Sequence, residues 1–339
     1  MRMFEIDPDI RKGRTLPSSF YTDERVFELS MERIFARSWY LAAGPDFQST
    51  LRPVFLWPGL LDEPILLVKN SERTSCFSNV CTHRGKILVE NECNANVIRC
   101  GYHGRRFKLD GKILSMPEFE GVEGFPSKDD DLPEIPVADW HGFLFSSLSP
   151  FASFSSVISD LPEGDLFTFS RPLSLASRRD YQVGAHWALY CENYLEGFHI
   201  PYVHRGLNEV VDYGTYDTEL FRYSSVQTGL ESNGAVAGKY LFIFPATMFN
   251  FYDWGISVNI VRPMSPSRTV VEFLTYLAEG AEIGSGAGGD LHRVEMEDEA
   301  VVESVQRGIR SRFYDRGRYS PTREQGTHHF HRLIAEFMG

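Results

Sequence analysis

The chain has 339 residues, 42% of them hydrophobic and 24% charged, and a formal net charge of −12. That length suffices for two domains with cores of their own. The acidic balance disfavours nucleic acid or an anionic membrane as a general partner. No apolar run approaches the roughly 20 residues of a membrane-spanning helix, and the charged opening MRMFEIDPDIRKG has no apolar core of a signal peptide. Five cysteines, an odd and sparse set, do not form a secreted disulfide framework. A reducing cytoplasm is the expected compartment.

In chain order, residues 22–36 predict an amphipathic helix, with Val26, Leu29 and Ile34 near helical spacing and Thr22, Asp23 and Glu24 at its start. From Trp39 to about Leu148, short apolar runs broken by Gly, Pro, Asn and Asp predict an antiparallel sandwich or barrel. Asp110–Gly111 marks a hairpin. A Ser- and Pro-containing stretch near residue 150 predicts a domain boundary. Beyond it, SRRDYQVGAHW predicts a strand running into a helix, ALYCENYLEGFH. Five strand-like runs follow, then a Gly-rich segment, EGAEIGSGAGG, read as a flexible loop. Two helices close the chain, over about 292–310 and 321–337, the second with Pro321 at its first position. The expected layout is therefore an N-terminal helical segment (1–38), a β-rich domain (39–150) and a second domain (151–339).

Two constellations carry chemistry. In the first, Cys81-Thr-His83-Arg-Gly is matched by Cys100-Gly-Tyr-His103-Gly. Each loop offers one thiolate and one imidazole. This suits a Rieske [2Fe–2S] centre, in which one iron takes two Cys and the other two His. The glycines permit tight turns that bring backbone N–H groups towards the sulfurs. The competing reading is a structural Cys2His2 zinc site, but zinc fingers group Cys with Cys and His with His. Cys76 and Cys93 are bystanders, on a strand and in a loop. Seven basic side chains (Arg84, Lys86, Arg99, Arg105, Arg106, Lys108 and Lys112) face only Glu90, Glu92 and Asp110 in this stretch. They either compensate the cluster's charge or form a docking patch for an acidic electron donor.

In the second, Glu196 and His199 are spaced i, i+3, with Asn193 a further three residues back on the same helical face. Pro201 interrupts the helix and lets His204 turn back towards His199. Two imidazoles need a carboxylate to complete the facial triad of a non-haem iron oxygenase. Asp298, on a helical stripe with Val301, Val302, Val305 and Ile309, is the candidate. The competing reading for Asp298 is a buried salt bridge with Arg262 or Arg307. Trp187, Tyr190, Phe249, Phe251, Tyr252 and Trp254 are core packing or part of an aromatic cage for a trialkylammonium group. His328, His329 and His331 are expected to serve surface and packing roles.

These motifs resemble the terminal oxygenase (α) subunits of Rieske non-haem iron oxygenases, the aromatic-ring-hydroxylating dioxygenase α-subunit family. YCENYLEGFHIPYVHRGLN, EDEAVVESVQRGIRS, GRYSP and HHFHRL are most similar to the choline monooxygenase and quaternary-amine oxygenase branch. The resemblance implies an α+β fold: a Rieske antiparallel β-sandwich followed by a helix-grip (START/Bet v1-like) catalytic domain. It implies a [2Fe–2S] cluster on Cys81, His83, Cys100 and His103, and a mononuclear Fe(II) on His199, His204 and Asp298. It further implies catalytic roles for Asn193 and Glu196, a head-to-tail homotrimer with a bridging carboxylate, and a separate NAD(P)H-dependent reductase or ferredoxin. Glu196 stands where many ring-hydroxylating members have Asp, and Arg105 where many have Trp. The implied activity is hydroxylation or oxidative demethylation of a small molecule, such as choline, carnitine or a betaine. The alternatives are arene dioxygenation and electron transfer without oxygenation.

Overall fold

The computed structural model describes residues 3–71, 73–167, 169, 171–284 and 287–339. They form two compact units: residues 36–151, and residues 1–35 together with 152–339.

The 36–151 unit is all β. Its strands are β1 (Tyr40–Ala43), β2 (Leu51–Leu56), β3 (Glu63–Lys69), β4 (Thr74–Ser78), β5 (Ile98–Arg99), β6 (Arg106–Phe107), β7 (Ile113–Ser115), β8 (Val137–Trp140) and β9 (Phe143–Ser146). They make three antiparallel three-stranded sheets, ordered β1-β9-β8, β2-β3-β4 and β5-β6-β7. The apolar run ILVE contributes no strand. Leu88 and Val89 instead pack in a loop against Leu66, Phe77, Ile98 and Phe107, in a core that also takes in Cys81 and Cys100. Burial therefore outweighs strand pairing there, and the core ties both Cys–His loops to the sheets. Cys76 lies buried in β4 and Cys93 is exposed.

The other unit is mixed. It begins with α1 (Ser18–Thr22) and α2 (Glu24–Arg33). The expected single helix starts instead at Asp23, whose carboxylate accepts the N–H groups of Arg25 and Val26 as an N-cap. After α3 (Phe154–Ile158) and α4 (Glu163–Leu166) come β10 (Leu173–Val183), α5 (Trp187–Tyr194), α6 (Ile200–Val203) and α7 (Arg205–Asn208). Strands β11 (Asp217–Leu220), β12 (Ser224–Leu230), β13 (Val236–Ile243), β14 (Thr247–Tyr252), β15 (Gly255–Ser265) and β16 (Arg268–Ala278) follow. With β10 they form one seven-stranded antiparallel sheet, ordered β10-β16-β15-β14-β13-β12-β11. Residues 285 and 286 of the Gly-rich segment lie outside the described residues, and the described residues on either side form neither helix nor strand. The chain closes with α8 (Leu291–Gly308) and α9 (Gln325–Met338). Pro321 does not open α9. Residues 321–323 form a turn closed by the Glu324 carboxylate, which accepts the Ser320 N–H at 2.5 Å.

Helix α5 is fixed between the sheet, α8 and α9. At its start, the Gly184 N–H donates to Glu303 (2.8 Å) and the His186 N–H to Gln306 (2.9 Å), both side chains of α8. At its end, Gln227 of β12 donates to the Tyr194 carbonyl at 2.7 Å. Helix α9 crosses so close that a β-carbon on Gly326 would lie 2.3 Å from the Leu195 carbonyl oxygen. His331, expected in a surface or packing role, is fully buried. Its Nε2 lies 3.0 Å from the Glu192 carboxylate, and its Nδ1 is 2.7 Å from the Tyr319 hydroxyl.

Candidate metal centres

The Cys–His loops are tight turns. The Gly85 N–H donates to the Cys81 carbonyl (2.9 Å) and the Gly104 N–H to the Cys100 carbonyl (3.1 Å). Gly85 (φ +70°) and Gly104 (φ +76°) take the left-handed conformation these turns need. Both sulfurs are buried, and the rings of His83 and His103 lie edge-to-face with centroids 4.9 Å apart. Burial works against the Cys100 thiolate. The N–H groups of Tyr102 and His103, with the Cys81 thiol, outweigh it and hold Cys100 below the ordinary thiol value. Cys76, buried away from the loops, is pushed by desolvation up to about 12.

His103 Nδ1 is buried without a hydrogen-bond partner among the described residues. An inward nitrogen without a partner beside two buried thiols is costly unless a metal takes the lone pair. The donor set of Cys81, Cys100, His83 and His103 therefore fits a cluster. Arg105, one of the seven cations read as either charge compensation or a docking patch, is 2% exposed and paired with Asp130 at 2.6 Å, stacked near Phe107 and Phe125. It buttresses the second loop from inside and takes no part in the basic surface. Arg84, Arg99, Arg106 and Lys108 remain exposed.

The second constellation converges by a route the helical pattern did not predict. Helix α5 stops at Tyr194, before Glu196 and His199. The Glu196 carboxylate accepts the N–H groups of Phe198 and His199, which ends the helical ladder locally. Pro201 then sits in the first turn of α6, where it needs no N–H partner, and His199 and His204 flank that helix. Their Nε2 atoms face each other at 3.2 Å. Asp298 Oδ1 lies 2.9 Å from His204 Nε2 and 3.5 Å from His199 Nε2. One ligand atom from each of the three residues falls within 4.8 Å of the others. Arg262 pairs with Asp180, not with Asp298. Asp298 instead accepts a hydrogen bond from Asn193 Nδ2 at 2.6 Å.

Each histidine's outer nitrogen has its own carboxylate. Glu196 Oε1 is 2.7 Å from His199 Nδ1, and Glu297 Oε2 is 2.8 Å from His204 Nδ1. This arrangement places the proton on Nδ1 and leaves both Nε2 lone pairs pointing inward, as metal-ligating imidazoles require. Burial opposes the charged form of His204, but the hydrogen bonds and charges of Asp298 and Glu297 outweigh it and raise its pKa. The hydrogen bond from His204 in turn leads in holding Glu297 below its ordinary value. Two donor nitrogens and one carboxylate with open space beside them fit a facial-triad iron.

The site opens into a cavity of about 110 Å³ between α5, α8 and the sheet, lined by the three converging residues and by Tyr190, Tyr194, Tyr216, Tyr240 and Tyr252. Trp187 and Phe249, candidates for an aromatic cage, are fully buried in the core. Glu297, Tyr194, Tyr216 and Tyr240 were not singled out from the sequence. Neither was Glu295, whose pKa burial drives well above its ordinary value, beyond what its hydrogen bond from Tyr190 offsets. Helix α8 buries Glu295, Val302 and Gln306 and exposes Val305, with Ile309 buried at its C-cap, so its inner stripe is more polar than Asp298 with four aliphatics.

The fold and the two centres define a Rieske-type oxygenase with separate cluster and iron domains. The family model of the Rieske [2Fe-2S] domain matches residues 56–126, and that of the ring hydroxylating alpha subunit (catalytic domain) matches residues 215–339. The chain is 30% identical to the chloroplastic choline monooxygenase of Arabidopsis thaliana over 97% of its length and 85% of the relative's. It is also 30% identical to the carnitine monooxygenase oxygenase subunit of Escherichia coli K12, over 95% and 93%. The quaternary ammonium Rieske monooxygenase CntA, solved with L-carnitine, superposes with a TM-score of 0.81 at 28% identity, covering 99% of this chain and 100% of that one. A naphthalene 1,2-dioxygenase shares the fold at a TM-score of 0.77 and 17% identity. The chain belongs to the Rieske non-haem iron oxygenases. Its cofactors are a Rieske [2Fe–2S] cluster and a mononuclear iron. No helix among the described residues is long and apolar enough to cross a membrane.

Proposed function

We propose that this chain is the oxygenase subunit of a quaternary-amine monooxygenase, which hydroxylates or oxidatively demethylates a trimethylammonium compound of the choline, carnitine or betaine type. The observation that carries this reading is the opening of the His199–His204–Asp298 convergence into a tyrosine-walled cavity. Ring faces attract alkylammonium groups. The relatives that share the whole chain act on choline or carnitine by name.

In this reading Cys81, His83, Cys100 and His103 hold the cluster, and His199, His204 and Asp298 hold the iron. The chemistry supplied when both are bound is one-electron transfer and activation of dioxygen. The chain's own residues set the stage for it. Glu196 and Glu297 hold the Nδ1 protons of the two histidines, and Asn193 orients the Asp298 carboxylate. The Cys100 sulfur takes the Tyr102 N–H at 3.5 Å, which stabilises its thiolate.

Electrons come from a separate NAD(P)H-dependent reductase or ferredoxin, for which the exposed Arg84, Arg99, Arg106 and Lys108 offer a basic docking face. The subunits assemble as a head-to-tail homotrimer. Glu196 then links the iron ligand His199 to a cluster histidine of a neighbouring copy. Phe198 (39% exposed) and Tyr202 (78%) stand beside Glu196, and Tyr102 (56%) stacks on His103, which supports a covered face at each centre. Oxygen uptake with a surrogate reductase, screened over choline, carnitine, γ-butyrobetaine and simple arenes, tests the reading. Uptake coupled to loss of a trimethylammonium substrate supports it. Turnover of arenes alone overturns it.

A further inference from the structure

The catalytic cavity holds a carboxylate that neither the iron ligands nor their positioning groups employ. Glu295 sits on α8 one helical turn before Asp298, lines the same cavity and is 3% exposed. Its Oε2 accepts the Tyr190 hydroxyl at 2.7 Å. Its Oε1 is buried and has no hydrogen-bond partner among the described residues. The cavity lining includes no Lys or Arg among the described residues, so neither side chain pairs with this carboxylate there. A carboxyl buried this way stays neutral unless a ligand supplies the opposite charge.

The walls nearby select the kind of cation. Tyr216 and Tyr240 are stacked at 21°, with centroids 6.4 Å apart, and Tyr240 and Tyr252 meet edge-to-face at 6.1 Å. All three line the cavity. Aromatic faces attract a diffuse positive charge but offer little to a hydrogen-bonding ammonium, which needs several acceptors. One free carboxylate oxygen in a cavity lined by such rings therefore suits a methylated ammonium head better than a primary amine or guanidinium.

We propose that Glu295 is a specificity-determining residue, whose carboxylate supplies the counter-charge to the substrate's alkylammonium head while the tyrosine rings enclose its methyl groups. The inference rests on the quaternary-amine reading and adds to it the residue that distinguishes a cation from a neutral molecule of the same shape. The contrasting role, a neutral Glu295 serving only to anchor Tyr190, makes opposite predictions.

The test uses the holoprotein under anaerobic conditions, so that binding is read by calorimetry without turnover. Two isosteric pairs are compared: choline against 3,3-dimethylbutan-1-ol, and γ-butyrobetaine against 5,5-dimethylhexanoate. In each, carbon replaces the charged nitrogen. The wild-type protein is expected to prefer the cation of at least one pair on the order of tenfold to a hundredfold. Glu295→Gln keeps an acceptor for Tyr190 and removes the charge, so the preference drops to about the few-fold level that ring faces alone provide. Glu295→Asp keeps the charge and retains a preference. Visible cluster absorption and iron content stay as in the wild type in both variants.

A wild-type preference that survives in the Gln variant overturns the role of Glu295 and leaves the quaternary-amine reading intact. Loss of the preference in the Asp variant as well as in Gln overturns a role for the charge. Absence of any cation preference in the wild-type protein overturns the substrate reading and this inference together.

Discussion

Replacing Glu297 by Gln should release the mononuclear iron and spare the cluster. Glu297 does not reach the converging ligand atoms. It holds His204 Nδ1 at 2.8 Å, and Arg293 keeps it in place from the other side at 3.2 Å. A charge-assisted hydrogen bond to the outer nitrogen makes the inner nitrogen a stronger ligand and fixes the ring. The amide can still accept the Nδ1 proton, but without a charge, and its NH2 end competes for the wrong tautomer. Carboxylates in this position typically contribute ten- to a hundredfold to metal affinity, or about 1.4–2.8 kcal/mol. Since Glu297 is partly exposed, the lower half of that range is expected for Gln and the upper half for Ala. Dialysis against graded concentrations of a ferrous chelator measures the effect, with acid-labile sulfide as the internal count of intact clusters. Iron retained as tightly as in the wild type would refute the positioning role. Sulfide lost in parallel with iron would show damage to the whole chain, contrary to the argument.

Three further outcomes follow from other parts of the chain. His186 is buried at the N-cap of α5, and desolvation lowers its pKa from 6.5 to about 3. The unfolded chain binds this proton first as pH falls, so the stability it contributes is complete above 6.5 and drains away below. Roughly 2 kcal/mol is lost between pH 6.5 and about 5, and His186→Asn, which keeps a capping side chain, should flatten that part of a denaturant-unfolding pH series. Gly326→Ala would drive a β-carbon into the Leu195 carbonyl, a backbone atom that cannot swing aside. It should cost about 1–3 kcal/mol and lower the Tm of the catalytic unit by roughly 3–10 °C in calorimetry. Tyr202→Glu, on an exposed ring next to the iron site, should dissociate the proposed trimer in sedimentation velocity while leaving the monomer folded.

The candidate ligands of the first centre stand out in the sequence because they are local. Each loop carries its own Cys, His and Gly, so spacing alone defines the turn, and nothing distant is needed to orient the sulfurs. The second centre was legible in its members but not in its geometry. A continuous helical face was expected to carry Asn193, Glu196 and His199, yet α5 ends at Tyr194 because Glu196 spends its carboxylate on the N–H groups of Phe198 and His199. Asn193 meets Asp298 from α5 itself, while His199 and His204 reach it through a turn and a short helix, geometry that periodicity does not encode. Glu297 and Glu295 were passed over because the pattern on α8 was judged by aliphatic residues. The helix faces a polar cavity, and there its buried stripe carries carboxylates. The tyrosines of β13, β14 and the segment before β11 come together only through the register of the seven-stranded sheet, which joins segments far apart in sequence. Arg105 was grouped with the surrounding cations because its neighbours are basic, while its partner Asp130 lies on a later turn.

The central claim, that an iron on His199, His204 and Asp298 oxidises a trimethylammonium substrate with electrons held by the Cys81–Cys100 cluster, is tested most directly by a single turnover. Protein whose cluster has been chemically reduced is mixed with γ-butyrobetaine, carnitine or choline in oxygenated buffer, with no reductase present. The wild type should reoxidise its cluster and release oxidised product in step, while Asp298→Ala keeps its cluster spectrum and releases none. Product from Asp298→Ala at the wild-type yield, or a fully metallated wild type that oxidises none of the three, would contradict the account.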